Sequence, residues 1–165
     1  MSGVPIRVFI ADDHAIVREG LAKLIEGSEG MRLVGQCGDG LQAMEDIKRA
    51  EPDVAVLDIG MPGLNGLDIW SKVTGKPDSP AIVMLTVSAE EHVIARALRN
   101  GASGYLLKES AYRELEEAIQ AVARGELYLG KGISREVLAH LRSEVQLPVD
   151  TLTLREREVL QLVAG

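Results

Sequence analysis

Cysteine is nearly absent: Cys37 is the only one in 165 residues. A lone thiol excludes an internal disulfide and fits a reducing compartment such as the cytoplasm. Aromatic residues make up 3% of the chain, with one Phe, one Trp and three Tyr, so stacking platforms for single-stranded nucleic acid are not evident. Positive charge is in deficit, 18 Lys and Arg against 25 Asp and Glu, for a formal net charge of −7. Long apolar runs are missing too. The longest, Val54–Leu57 and Ala81–Leu85, have the length of strands rather than of membrane helices. The N-terminal stretch lacks the apolar core of a signal peptide.

What is present is ordinary for a globular chain: 46% hydrophobic and 26% charged residues, which excludes collagen-like, disordered and disulfide-scaffold classes. The length predicts one domain plus a remnant. The charge is unevenly placed, because residues 131–165 carry equal numbers of acidic and basic side chains and the whole negative excess lies before them. An acidic body of this kind is a poor non-specific binder of nucleic acid.

Short apolar runs alternate with segments of helical period. Ile6–Ala11, Arg32–Gln36, Val54–Leu57, Ala81–Leu85 and Tyr105–Leu107 read as strands. Between them Val17, Leu21, Leu24 and Ile25 repeat at helical spacing, as do Ala43, Ile47 and Ala50, and then Ile94, Ala97 and Leu98. A last such segment carries Leu115, Ala118, Ile119 and Val122, with Ser110 as its expected N-cap. Further helices are expected to open near Gly40 and Gly66. The strands are nearly continuous in apolar residues, which predicts burial on both faces. Five β-α units in series then predict an α/β fold with a doubly wound, five-stranded parallel sheet, over residues 1–124. Residues 125–150 read as a linker with a short helix after Ser134. In residues 151–165, Thr153 and Glu156 have capping-box spacing and open one more helix.

Ligands in open α/β sheets sit beyond the carboxyl ends of the strands. Those ends hold Asp12 and Asp13, then Asp58, then Thr86, then Lys108. Three carboxylates on one edge repel unless a positive group stands between them; a hard cation such as Mg²⁺ and the Lys108 ammonium would both serve. The acidity argues against a dinucleotide site, which needs anion-accepting backbone after the first strand. Each residue has an ordinary reading when taken singly. Asp13 could cap the next helix, Asp58 could start a turn, Thr86 could be a plain strand residue, and Lys108 could be a solvated lysine. Their joint placement at one sheet edge favours a site. His14 and His92 are expected at the surface rather than on a metal, Cys37 as a small packed side chain, and Met61 and Trp70 as packing rather than a cofactor box.

Four strings carry a resemblance: Val8-Phe-Ile-Ala-Asp-Asp-His14, Val56-Leu-Asp-Ile-Gly-Met-Pro-Gly-Leu-Asn-Gly66, Met84-Leu-Thr-Val-Ser88 and Gly101-Ala-Ser-Gly-Tyr-Leu-Leu-Lys108. Over residues 5–124 the chain resembles a flavodoxin/CheY-like receiver domain of bacterial two-component response regulators, in the NarL/FixJ subfamily. Leu152–Leu160 further resembles the first helix of a LuxR-type helix-turn-helix domain. The resemblance implies that Asp58 is phosphorylated by a sensor histidine kinase. It also implies that Asp13, Asp58 and the Gly60 carbonyl ligate Mg²⁺, with Asp12 acting through water. Lys108 and the Thr86 hydroxyl would hold phosphoryl oxygens, and Tyr105 would follow Thr86 as a switch. Gly60 and Ser88 stand where phosphoryl lifetime is tuned. Val87 replaces a smaller residue beside the phosphate entrance. Glu109 replaces the proline that often follows the lysine, so a trans bond is expected, since cis would cost about 3 kcal/mol.

The resemblance thus implies a cytoplasmic phosphoprotein that is not an enzyme beyond assisting its own phosphorylation and dephosphorylation. It implies homodimerisation on activation, and promoter DNA binding by a longer protein but not by this fragment, since a helix-turn-helix reads bases with its second helix. The alternative is a receiver-like module that dimerises or docks without phosphorylation; the complete acidic, Thr and Lys set weighs against it. A phosphatase of the haloacid-dehalogenase type would need an aspartate where Gly60 stands.

Overall fold

The structure, a computed structural model, describes residues 3–61, 79–87 and 103–133. Strands β1 (Ile6–Ala11), β2 (Met31–Cys37), β3 (Val54–Asp58), β4 (Ala81–Thr86) and β5 (Gly104–Leu107) fall within a residue of their expected bounds. The helices described in full are α1 (Ala15–Glu26), α2 (Gly40–Ala50) and α3 (Ala111–Ala123), the last entered through a 3₁₀ turn at Lys108–Ser110, and residues 131–133 are helical too. A sixth strand, β6 (Tyr128–Leu129), corrects the five-stranded expectation. The sheet is parallel, in the order β2-β1-β3-β4-β5-β6.

Alternate strand residues point to opposite faces, so the continuous apolar runs feed two cores. Val8, Ile10, Val54, Val56, Val83, Leu85 and Leu106 pack with Leu21 and Ile25 of α1 and Leu115 and Ile119 of α3. Phe9, Ala11, Ala55, Leu57, Ile82, Met84 and Tyr105 pack on the other face with Ala43 and Ile47 of α2. Helices on both faces make the sheet doubly wound, as expected.

The helix ends follow local chemistry. The Asp39 carboxylate accepts the Gln42 N–H at 2.9 Å and so caps α2, with Lys48 and Arg49 in its last turn complementing the dipole. Asp39→Ala is therefore expected to cost about 1 kcal/mol in urea denaturation, with Asp39→Ser recovering most of it. Ser110 occupies the N-cap position of α3 as expected, but its side chain makes no capping bond: the hydroxyl donates instead to the Leu107 carbonyl at 3.3 Å. After α3, Gly125 takes φ +81°, a conformation that favours glycine, and turns the chain back toward the sheet edge. No cis peptide bond occurs among the described residues, so Lys108–Glu109 is trans as expected. The expected helices around Gly66 and Ile94, the sites Ser88, His92 and Trp70, the helix after Ser134 and residues 151–165 lie outside the described residues.

Candidate functional site

The chain leaves β1 for β2 on one side and returns to β3 on the other. The carboxyl ends of β1 and β3 therefore flank the crevice where the connections reverse direction, which is where such sheets bind ligands. Asp12 follows β1 and Asp58 is the last residue of β3. The turn after Asp58 is held by the Ile59 N–H on the Leu85 carbonyl at 3.0 Å. The turn after β1 is held by the Asp12 N–H on the Cys37 carbonyl at 3.0 Å and by Arg18 on the Asp12 carbonyl at 2.7 Å.

Asp12 is fully buried and Asp58 is 4% exposed, while Asp13 and His14 stand at the open side. Lys108, delivered by the end of β5, reaches across the edge with its Nζ 2.9 Å from Asp12 Oδ1 and 2.9 Å from Asp58 Oδ2. The other Asp58 oxygen, Oδ1, accepts the Gly60 N–H at 3.0 Å. Asp12 Oδ1 also accepts the His14 backbone N–H at 2.8 Å. The lysine expected at the site is thus buried and paired with two of the three carboxylates. Thr86, at the end of β4, is buried beside them in the sheet order, and Tyr105 is 2% exposed within the core. Val87 is largely exposed directly after Thr86.

Burial pushes the Asp58 carboxyl above its usual range, and a hydrogen bond shared with Asp13 adds to this; together they outweigh Lys108 and the Gly60 N–H. For Asp13 burial also pushes upward, but the same shared hydrogen bond, His14 and Lys108 win and hold it low. Burial alone would lower the Lys108 ammonium; its bonds to Asp58 and Asp12 raise it instead, so it stays charged. The two facing carboxyls thus divide their roles, with Asp13 the stronger acid and Asp58 the group that holds a proton more readily.

Ligand atoms of Asp12, Asp13, His14 and Asp58 all lie within 4.8 Å of one another. Among the described residues, Asp12 Oδ2 is buried without a hydrogen-bond partner. A buried carboxylate oxygen without a donor is costly unless a cation or an ordered water satisfies it. The donor set, mostly carboxylate, suits a hard divalent cation.

His14 is the residue that the sequence undervalued. It is mainly exposed, as expected of a surface position, yet its Nδ1 lies 2.7 Å from Lys108 Nζ and 3.3 Å from Asp12 Oδ1. It also occupies the cap position of α1 without a side-chain capping bond, so Asp13 is not the cap. Cys37 packs partly buried against one core, and its Sγ also meets the backbone of Asp39. Met61 is buried in that core too, as packing.

A doubly wound parallel sheet with this carboxylate and lysine edge at its switch point is the CheY-like receiver fold. The chain belongs to the response regulator receiver domain family, whose description matches residues 8–120. It is 36% identical over 163 residues to the nitrate/nitrite response regulator protein NarL of Escherichia coli K12, covering 97% of this chain and 76% of that protein. It is 34% identical over 161 residues to the transcriptional regulatory protein LiaR of Bacillus subtilis, covering 96% and 76%. Among solved structures, a LuxR-family two-component response regulator from Aurantimonas sp. SI85-9A1 aligns with a TM-score of 0.77 at 30% identity, covering 84% of this chain and 99% of that one. The chain is therefore similar to the NarL and LuxR group of two-component response regulators, as its motifs suggested.

Proposed function

We propose that Asp58 accepts a phosphoryl group from a phosphohistidine of a sensor histidine kinase, and that the modified receiver controls a transcription regulator. The observation that carries this reading is a carboxylate 4% exposed, held on one oxygen by a backbone N–H and on the other by a buried lysine, beside two further carboxylates. An Asp58 oxygen attacks phosphorus as the P–N bond breaks, and the electron pair leaves on the imidazole nitrogen. Lys108 turns from Asp58 Oδ2 toward a phosphoryl oxygen while Asp12 retains it. The Thr86 hydroxyl donates to a second phosphoryl oxygen, and the buried Tyr105 side chain packs into the space that Thr86 leaves.

Phosphoryl transfer needs positioning and charge neutralisation more than covalent help. The carboxylate set fits Mg²⁺, with Asp13, Asp58 and the Gly60 carbonyl as ligands and Asp12 acting through water. Bound there, the ion would neutralise charge on the transferring group. The orphaned Asp12 Oδ2 supports that fit.

Intact mass spectrometry after incubation with Mg²⁺ and a small phosphodonor tests the reading. The wild type is expected to gain one phosphate and Asp58→Asn none. No adduct with any donor would overturn it and leave the phosphorylation-independent docking or dimerisation module. Size-exclusion chromatography with beryllofluoride is expected to show homodimers. That LiaR is named a transcriptional regulatory protein supports promoter DNA as the eventual target, and the lone Cys37 fits a receiver that acts in the cytoplasm.

A further inference from the structure

Glu114 is a buried carboxylate that the phosphoryl chemistry does not use. It stands in the first turn of α3, 8% exposed, and its Oε1 accepts the Tyr128 hydroxyl at 3.1 Å and the Lys131 backbone N–H at 3.2 Å. The Tyr128 hydroxyl is shared with Glu117 at 3.2 Å. Both of Glu114's partners belong to the segment that leaves the receiver. That segment is laid along β5: the Tyr128 N–H bonds the Ser103 carbonyl at 2.9 Å and the Gly130 N–H bonds the Tyr105 carbonyl at 2.8 Å. A Cβ on Gly130 would stand 3.2 Å from the Tyr105 carbonyl oxygen and 3.4 Å from Glu114 Oε2, so the approach is close on both sides. Leu127, Leu129 and Ile133 share one core with the Tyr105 side chain.

The pocket and the exit segment therefore meet on one piece of chain. Lys108 directly follows β5 and bonds Asp12 and Asp58; its 3₁₀ turn runs straight into the first turn of α3, where Glu114 stands. The free edge of β5 carries β6. We propose that Glu114 is a positioning residue: it pins residues 127–133 to β5 and couples their attachment to occupancy of the carboxylate pocket. An anion at Asp58 adds charge to the acceptors of the Lys108 ammonium, which already ties the end of β5 to the pocket, so the β5 backbone is held more firmly and the exit segment that bonds the Tyr105 carbonyl tightens with it. Coupling of this kind is reciprocal, so loosening the segment weakens anion binding in the pocket. The coupling half rests on the reading of Asp58 as phosphoacceptor; the anchoring half does not.

Hydrogen exchange of the full chain, with and without Mg²⁺ and beryllofluoride, tests this in wild type, Glu114→Ala, Glu114→Gln and Tyr128→Phe, with circular dichroism to verify the fold. In the wild type, beryllofluoride is expected to slow exchange at residues 128–131 about tenfold. In Glu114→Ala these amides exchange about tenfold faster and beryllofluoride binds several-fold more weakly, as read by fluorine NMR titration. Glu114→Gln, which keeps an acceptor, recovers part of both effects, and Tyr128→Phe shows a smaller loss. Bound beryllofluoride that leaves wild-type protection unchanged, or loosens it, would overturn the coupling. Unchanged exchange in a folded Glu114→Ala would overturn the anchor. Absence of any beryllofluoride binding would instead count against the Asp58 reading, and the exchange rates of Glu114→Ala would still decide the anchor.

Discussion

Lys108→Ala is expected to lower stability at pH 7 by about 3 kcal/mol, read by urea denaturation. The Lys108 side chain is 7% exposed, and its Asp12 and Asp58 partners are 0% and 5% exposed. Removing one partner of a buried ion pair strands the remaining charge, and this stranding, more than the lost attraction, sets the size of the effect. The pH dependence follows from the directions of the shifts. The Asp58 pKa already lies above its unfolded value, and Lys108 is one of the groups that restrain it. Without the lysine it rises further, so the folded variant binds protons more readily than the unfolded chain and loses stability as pH rises through that window. The deficit relative to wild type therefore shrinks toward acid pH, where Asp58 is neutral. At the alkaline end the sign follows Lys108: its pKa is raised by folding, so its contribution is complete below the unfolded value and fades as pH rises through the folded one. Adding Asp58→Asn to Lys108→Ala is expected to recover much of the loss, which a double-mutant cycle measures.

Mg²⁺ at about a hundred times its dissociation constant is expected to stabilise the wild type by about 2.7 kcal/mol, since an ion held by the assembled carboxylates would have no comparable site in the unfolded chain. Sodium chloride at matched ionic strength is expected to do far less, because screening alone does not satisfy the orphaned Asp12 Oδ2. Asp13→Asn removes one of the grouped ligands and is expected to abolish most of the gain. The gain also weakens on acidification. Asp58, whose pKa is raised, takes up a proton before Asp13, whose pKa is lowered. Denaturation midpoints across a Mg²⁺ series at two pH values test both statements.

Sequence patterning located the parts of this molecule that depend on periodicity. The apolar runs at Ile6–Ala11 and Ala81–Leu85 announce central strands because both faces of the sheet are covered. The carboxylates were legible for a similar reason, since polar residues that interrupt such runs mark strand ends. β6 was not legible: two residues are too few to show a period, and Gly125 and Gly130 on either side read as breaks in structure. Glu114 carries no signal in the sequence beyond an acidic residue near a helix start, and only the returning chain buries it. His14 was assigned to the surface on sound grounds, yet its contact with Lys108 joins positions 94 residues apart. Ser110 has the residue type and the position of a cap, but the 3₁₀ turn sends its hydroxyl back to Leu107.

The order in which the chain supplies its charges also bears on how it folds. All three carboxylates precede the lysine, and Asp58 comes 50 residues before Lys108. A nascent or partly folded chain that has paired β1 with β3 thus presents an acidic edge that nothing yet neutralises. Arrival of β5 brings the ammonium to that edge, so electrostatic attraction adds to apolar burial in docking the late strand. Adding β5 to the sheet and completing the site are the same event.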